Sequence, residues 1–310
     1  MWFLFTLLTT LLWGAADLFY KKGARGGEEK YSHLLTGITV GLVMGAQAIF
    51  TLVFTDVGYD PINILIYMPV SMFYIISMVV GYLGLKYLEL SISSPVQNSS
   101  GAVVSILCLI FLGQTLDLLS AGAVVIITIG IVMLGWLERT KPADVAPEDK
   151  KYAKGIIAFM FPLIYCVLDA MGTFFDAFYL DDIDSTPLVG VTEENFETVA
   201  NISYELTFLA AAIIMLIYIL VIKKDKIEIP KQGDKLVAAV FETAGQYFYV
   251  FAMSGNAVIA APTIASYCVV SALLAGIFLK EKLKPLQYIA ILAVIIGIVM
   301  LGVAEGLAEV

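Results

Sequence analysis

Runs of apolar residues, each long enough to cross a bilayer and bounded by charge, glycine or proline, recur along this chain at 2–20, 33–55, 63–86, 92–112, 119–137, 153–179, 200–222, 236–254, 257–279 and 285–304. A helix spanning the hydrocarbon core needs about 20 such residues. Ten spans with short connections nearly exhaust the 310 residues, leaving little for a separate soluble domain. The composition agrees: 60% of residues are hydrophobic and 15% charged, against roughly a quarter charged in soluble domains. The reading is an all-α integral membrane protein, with the first run a retained span, because it has neither a basic leader nor a small-residue cleavage site. Pro69 and Pro162 fall inside the third and sixth spans, where a missing backbone donor predicts kinks. Cys108, Cys166 and Cys268 lie within apolar runs and read as buried small side chains, with no disulfide framework or metal site.

The basic residues set the orientation. All 18 Lys and Arg fall in odd-numbered connections or at helix ends facing them: Lys21, Lys22, Arg25 and Lys30; Lys86; Arg139, Lys141, Lys150, Lys151 and Lys154; Lys223, Lys224, Lys226, Lys231 and Lys235; Lys280, Lys282 and Lys284. By the positive-inside rule these connections are cytoplasmic and both termini extracytoplasmic. The net charge of −9 therefore says little about partners until the charges are placed.

The chain also repeats itself. Residues 87–135 lie over 254–302 at a constant offset of 167, aligning Pro95 with Pro262, Phe111-Leu112 with Phe278-Leu279, and the run from Gly130 to Gly135 with that from Gly297 to Gly302. Five spans per copy is an odd number, so the copies enter the membrane in opposite directions, which makes an inverted repeat. The halves are 1–137 and 153–310, joined by a cytoplasmic linker, 138–152. A weaker match at offset 152 places Trp13 to Asp17 over Tyr165 to Asp169. The difference between offsets implies an insertion in the second half, best placed at the acidic segment 181–200, either a solvated loop or a lid over an outer vestibule.

Five ionisable residues remain within spans: Asp17, Asp169, Asp176, Glu205 and Glu242. A charged side chain inside the bilayer costs several kcal/mol unless paired or hydrated, so such residues face the bundle interior or a water-filled path. Asp176 follows Asp169 at i+7, on one face. Asp17 has Lys21 at i+4, and a helix-end ion pair is its structural explanation. Glu242, Gln246 and Tyr249 form one polar stripe on the eighth span, and Thr10, Trp13 and Asp17 share a face of the first. Gln97, Gly101 and Ser105 form a small polar seam that serves close packing or a site. Of Tyr67, Tyr74, Tyr82, Tyr247, Tyr249 and Tyr267, most are expected in lipid contact and interfacial belts, with a few beside the carboxylates. Carboxylates with aromatic faces suit an organic cation or an ammonium group. No basic residue lies mid-span for a phosphate. A desolvated carboxyl can also serve proton coupling, and Asp169 and Glu242 are candidates for either role. His33, at a helix end, reads as structural.

WGAADLFYKKGA in the first span, LGLKYLELSISSPVQ leading into the fourth, and FLKEKLKPLQYIAILAVIIGIVMLG across the last two resemble the drug/metabolite transporter superfamily, specifically its ten-helix EamA-like permeases. The resemblance implies a secondary transporter, exporting by analogy, with a central pocket between the first four helices of each repeat and the fifth and tenth peripheral. Glu281 matches the acidic residue of the family's FLxE turn, but its repeat partner is Gln114. Many members also keep their termini cytoplasmic, opposite to the charge count here. HExxH, GxSxG and Walker A motifs are absent, so the chain reads as no enzyme and no ATP-driven pump. The expectation is alternating-access transport of a small cationic or zwitterionic metabolite, an amino acid or amine, across a bacterial or archaeal plasma membrane. It involves membrane lipids and possible proton coupling but no cofactor or nucleic acid, and the chain is a monomer or homodimer. The other readings are a lipid or lipid-carrier flippase, which would want a cation near the cavity, and a membrane receptor without transport.

Overall fold

The computed structural model describes residues 1–24, 31–88, 90–137, 156–281 and 283–308, and every regular element among them is helical. The 138–152 linker lies outside the described residues, as do Arg25, Lys30, Arg139, Lys141, Lys150, Lys151, Lys154 and Lys282. The long helices are α1 (Trp2–Ala24), α2 (Ser32–Phe54) and α3 (Ile62–Gly84). Two short helices follow, α4 (Leu90–Gln97) and α5 (Ser100–Leu107), then α6 (Leu118–Leu137), α7 (Ile156–Leu180) and α8 (Phe196–Ile217). The chain closes with α9 (Gly233–Ala265), α10 (Tyr267–Leu274) and α11 (Pro285–Ala308).

Among the described residues, eight helical segments are long and apolar enough to cross a membrane, and Leu118–Leu134 is a shorter apolar helix. One of the eight, Ile229–Leu279, runs for 51 residues. A straight helix of that length would reach about 75 Å, more than twice the hydrocarbon thickness, and it is not straight. Asn256 leaves helical geometry (φ −167°, ψ 81°). Its side chain accepts from the Ile259 backbone at 3.4 Å, and that of Gln114 accepts from Val258 N at 3.0 Å, so two side chains cap the helix that restarts there. The restart lies between the expected eighth and ninth spans. Pro69 and Pro162, by contrast, lie inside helices that run on without interruption.

Two further breaks occur where the sequence repeats. The Ser99 amide donates to Val96 O at 3.4 Å and the Ser266 amide to Thr263 O at 3.1 Å, each an i→i−3 turn replacing an α-helical bond. Beyond each break stands an eight-residue helix, α5 or α10, then a π-helical turn, Cys108–Leu112 or Ala275–Leu279. Each ends on a left-handed residue, Gly113 at φ 65° and Lys280 at φ 59°. All of these positions differ by 167.

The helices pack in crosswise pairs: α1 on α9, α2 on α8, α3 on α7 and α6 on α11, with α4 and α5 wedged against α7, α9 and α10. Large apolar side chains such as Phe50, Phe54, Ile110, Ile214, Val221, Ile289 and Leu292 are left exposed outside. So much apolar surface is intolerable in water and ordinary in lipid. The acidic segment after α7 is held to the start of α3 by the buried Asn63, which donates to Val189 O at 2.9 Å and accepts from Val189 N at 2.8 Å. Its last residues, from Phe196, already belong to α8.

Candidate functional site

Where the crosswise pairs meet the broken helices, they leave a cavity of about 60 Å³, several times the ~10–15 Å³ that one water requires. Helix α1 contributes Trp13, Asp17 and Tyr20, which fall at i, i+4 and i+7 and so share one face. Helix α3 brings Tyr74, Gly81 and Tyr82; α7 brings Tyr165, Asp169 and Thr173; α8 brings Tyr204; α9 brings Glu242 and Tyr249. The broken helices supply Gln97, Asn98, Ser100, Gly101, Ala265 and Tyr267 from both sides of their breaks. Among the described residues, no Lys, Arg or His lines this space.

Three carboxylates reach the cavity. Asp17 Oδ2 accepts from Ser94 Oγ at 2.6 Å and from Ser271 Oγ at 2.7 Å, one hydroxyl from each broken span. Asp169 Oδ2 accepts from Ser100 Oγ at 2.6 Å, and Glu242 Oε2 from Tyr20 OH at 3.2 Å. Glu242 is within electrostatic reach of both Asp17 and Asp169. These are neutral donors: they fix the carboxyl groups without supplying the opposite charge that buried ions ordinarily require.

The aromatic side chains form the remaining wall. The Trp13 indole stacks on Tyr249 (centroids 5.0 Å apart, planes at 28°) and meets the edge of Tyr267 at 5.9 Å. Trp13 Nε1 donates to the Glu242 carbonyl at 3.2 Å, which pins the ring against α9. The ring fits because residue 245 is glycine: a Cβ there would stand 2.4 Å from Trp13 Cδ1. Tyr74 OH bonds Thr173 Oγ1 at 2.8 Å and Tyr249 OH at 2.7 Å, linking α3, α7 and α9.

Seven of the ten residues predicted from sequence line the cavity: Trp13, Asp17, Gln97, Asp169, Glu242, Tyr249 and Tyr267. Gln246, Asp176 and Glu205 are buried elsewhere. The polar stripe on α9 therefore faces the cavity at two of its three positions. The expected Asp17–Lys21 pair is corrected. The buried Lys21 ammonium turns to the end of α3 and donates to the carbonyls of Leu85, at 2.6 Å, and Leu88, where carbonyls left over from a helix end welcome a cation. The aromatic expectation is corrected too: Tyr74, Tyr82, Tyr249 and Tyr267 face the cavity, Tyr67 is buried against Asp176, and only Tyr247 of the six is exposed. In the α4–α5 seam Gln97 and Gly101 line the cavity, whereas Ser105 bonds the Val258 carbonyl at 2.8 Å.

Sequence reasoning missed Tyr20, Tyr165, Ser94, Ser100 and Ser271. Tyr165 had a signal, since the 152 offset lays Trp13 over it. Tyr20 continues the α1 face by three residues. The serines had none, because a single hydroxyl in an apolar run is ordinary.

Apolar helices around an acidic, aromatic cavity define an integral membrane protein. Residues 194–303 match the profile of the EamA-like transporter family, the domain of the drug/metabolite transporter superfamily, so the resemblance read from the sequence holds over that stretch. A solved crystal structure is similar over 100% of this chain and 99% of its own, with a TM-score of 0.65 at 16% identity, a likeness of fold. No curated protein matches the chain.

Proposed function

We propose that the chain is a secondary transporter that moves a small cationic or zwitterionic organic solute, an amine or amino acid, by alternating access. The observation that carries this reading is the cavity itself: Asp17, Asp169 and Glu242 converge with Trp13, Tyr249 and Tyr267, and among the described residues no basic side chain lines the space. Three carboxyl groups held by neutral donors favour a ligand that brings positive charge, and aromatic faces attract the same ligand. An anionic phosphate ester would meet the opposite field. The lipid-flippase reading lacks, among the described residues, the headgroup-binding cation it would want in this cavity.

In the proposed architecture ten spans form two inverted five-helix repeats. The 51-residue run counts as two spans divided at Asn256, and α6 counts as one. Supporting the repeat are the breaks, π-turns and left-handed caps spaced by 167, and the crosswise pairing of α1 with α9, α2 with α8, α3 with α7 and α6 with α11. A site at the junction of two such halves is where rocking of one against the other exposes a solute to alternate sides. Export follows the resemblance. The basic odd-numbered connections are taken as cytoplasmic and both termini as extracytoplasmic.

The test is solute flux into proteoliposomes, screening radiolabelled amines and amino acids. Saturable flux is expected, abolished by Asp169→Asn and by Glu242→Gln. Undiminished flux in both variants would remove the site assignment. Single cysteines at position 2 and in the 143–147 segment, probed with a membrane-impermeant thiol reagent on a cysteine-free background, read the orientation: the first labels from outside, the second only after permeabilisation.

A further inference from the structure

Helix α7 carries Asp169, Thr173 and Asp176 at i, i+4 and i+7, on one face. The first two line the cavity and the third does not. Asp176 lies between the cavity and the segment that begins at residue 181, and it is 1% exposed. Its Oδ1 accepts from Tyr67 OH, and its Oδ2 has no hydrogen-bond partner. Such an atom is rare in a native interior, and as half of an ionised carboxylate it carries a large desolvation cost.

The groups that face Asp176 offer no compensating charge. Helix α3 presents the Tyr67 hydroxyl and α9 that of Tyr249, both neutral donors toward the carboxyl, and Tyr204 of α8 lies within electrostatic reach. Asp169 is two turns away along α7. No Lys, Arg or His among the described residues bonds or pairs with Asp176. A metal would want several oxygen ligands, and no group of three metal-binding side chains occurs among the described residues. A proton satisfies the unpartnered oxygen with no further ligand. The hydroxyls of Tyr249, Tyr74 and Thr173, all of which line the cavity, form a hydrogen-bonded series that ends one turn from Asp176.

We propose that Asp176 is a proton-binding site, separate from the solute cavity. The carboxylate takes up one proton to become the neutral acid and returns it to water, with no other bond made or broken. Tyr67–Asp176, Tyr74–Thr173 and the Tyr179 hydroxyl on Ile66 O at 3.2 Å together clasp α3 to α7 beside the cavity. The Tyr67 bond is stronger to an ionised acceptor, so charging Asp176 tightens this clasp and protonation loosens it. That use as a coupling site rests on the transport reading; the proton site does not.

The experiment is pH-difference infrared spectroscopy on the full chain reconstituted in lipid, without solute, reading the C=O stretch of protonated carboxyl groups. Asp176→Asn should remove one such band, while Asp169→Asn and Glu242→Gln leave that band in place. Tyr67→Phe, which keeps the ring and deletes one hydrogen bond, should shift the same band in frequency. An Asp176→Asn spectrum that retains every carboxylic-acid band overturns the proposal, as does a Tyr67→Phe spectrum identical to the unmodified protein. Absence of solute flux would instead count against transport and leave this result standing.

Discussion

The cavity and the α6–α11 pair are built from the same kind of helix and solve opposite problems. In the pair, Gly130 lies so close to α11 that a Cβ would stand 2.5 Å from Val294 Cγ2 and 3.0 Å from Ala290 O, and Gly297 approaches Ile127 and the Ala123 carbonyl in the same way. Backbones meet there through dispersion alone, which is how helices associate where lipid is as apolar as they are. Around the cavity the same close approach, at Gly245 against Trp13, places a ring beside three carboxylates. Among the described residues, the α6–α11 contact buries no carboxyl group. The cavity holds three carboxyl groups with no cation among the described residues that line it, and that unmet requirement points to a ligand.

The largest effect should come from removing charge in the cavity. Glu242→Gln or Asp169→Asn is expected to lower solute affinity by about 2 kcal/mol or more, over tenfold, with little change in thermal unfolding, as isothermal calorimetry and a melting curve in detergent would read. The converse is expected of Gly130→Ala. It overpacks the α6–α11 contact and should cost about 1–3 kcal/mol of stability while solute affinity holds. If it weakened binding as much as Glu242→Gln, the division between the two regions would fail. Gly245→Ala tests both at once: its Cβ displaces the Trp13 indole, so affinity should fall by about a cation–π contact, roughly 1 kcal/mol.

The smallest effect concerns Asp117, which caps α6 outside the membrane by accepting from Leu119 N at 2.8 Å and Ser120 N at 3.0 Å. Hydrogen bonds from Ser120 hold its carboxyl below the ordinary carboxylate range. A depressed value in the folded state means the contribution is present above the unfolded value and lost as pH falls through the folded one. Asp117→Ala should therefore slightly reduce stability at neutral pH and flatten its acid limb, seen in melting curves from neutral to strongly acidic buffer, without touching the cavity.

What the sequence revealed follows the same division. Apolar runs and the offset of 167 were legible because a spanning helix must be long and apolar and a repeat leaves identities such as the aligned Gly-Ile-Val-Met-Leu-Gly runs. Asp17, Asp169 and Glu242 were legible because a charge in an apolar run is costly. Their partners were not: Ser94 and Ser271 reach Asp17 only because two helix breaks bring distant spans together. The Asp17–Lys21 spacing misled because i, i+4 proximity says nothing of a competing acceptor, and the carbonyls at the end of α3 hold Lys21. The aromatic residues were misjudged because tyrosine suits both an interface and a polar cavity, and one helix alone does not distinguish them.

The central claim, a cavity that selects positive charge, is tested most directly by ligand-induced thermal stabilisation of the purified protein and its Glu242→Gln variant, using amines and amino acids beside matched carboxylates and uncharged isosteres. The account predicts that every stabilising ligand carries a cationic nitrogen and that its shift vanishes in Glu242→Gln. Stabilisation by a carboxylate or phosphate ester lacking such a nitrogen, and unchanged in the variant, would contradict it.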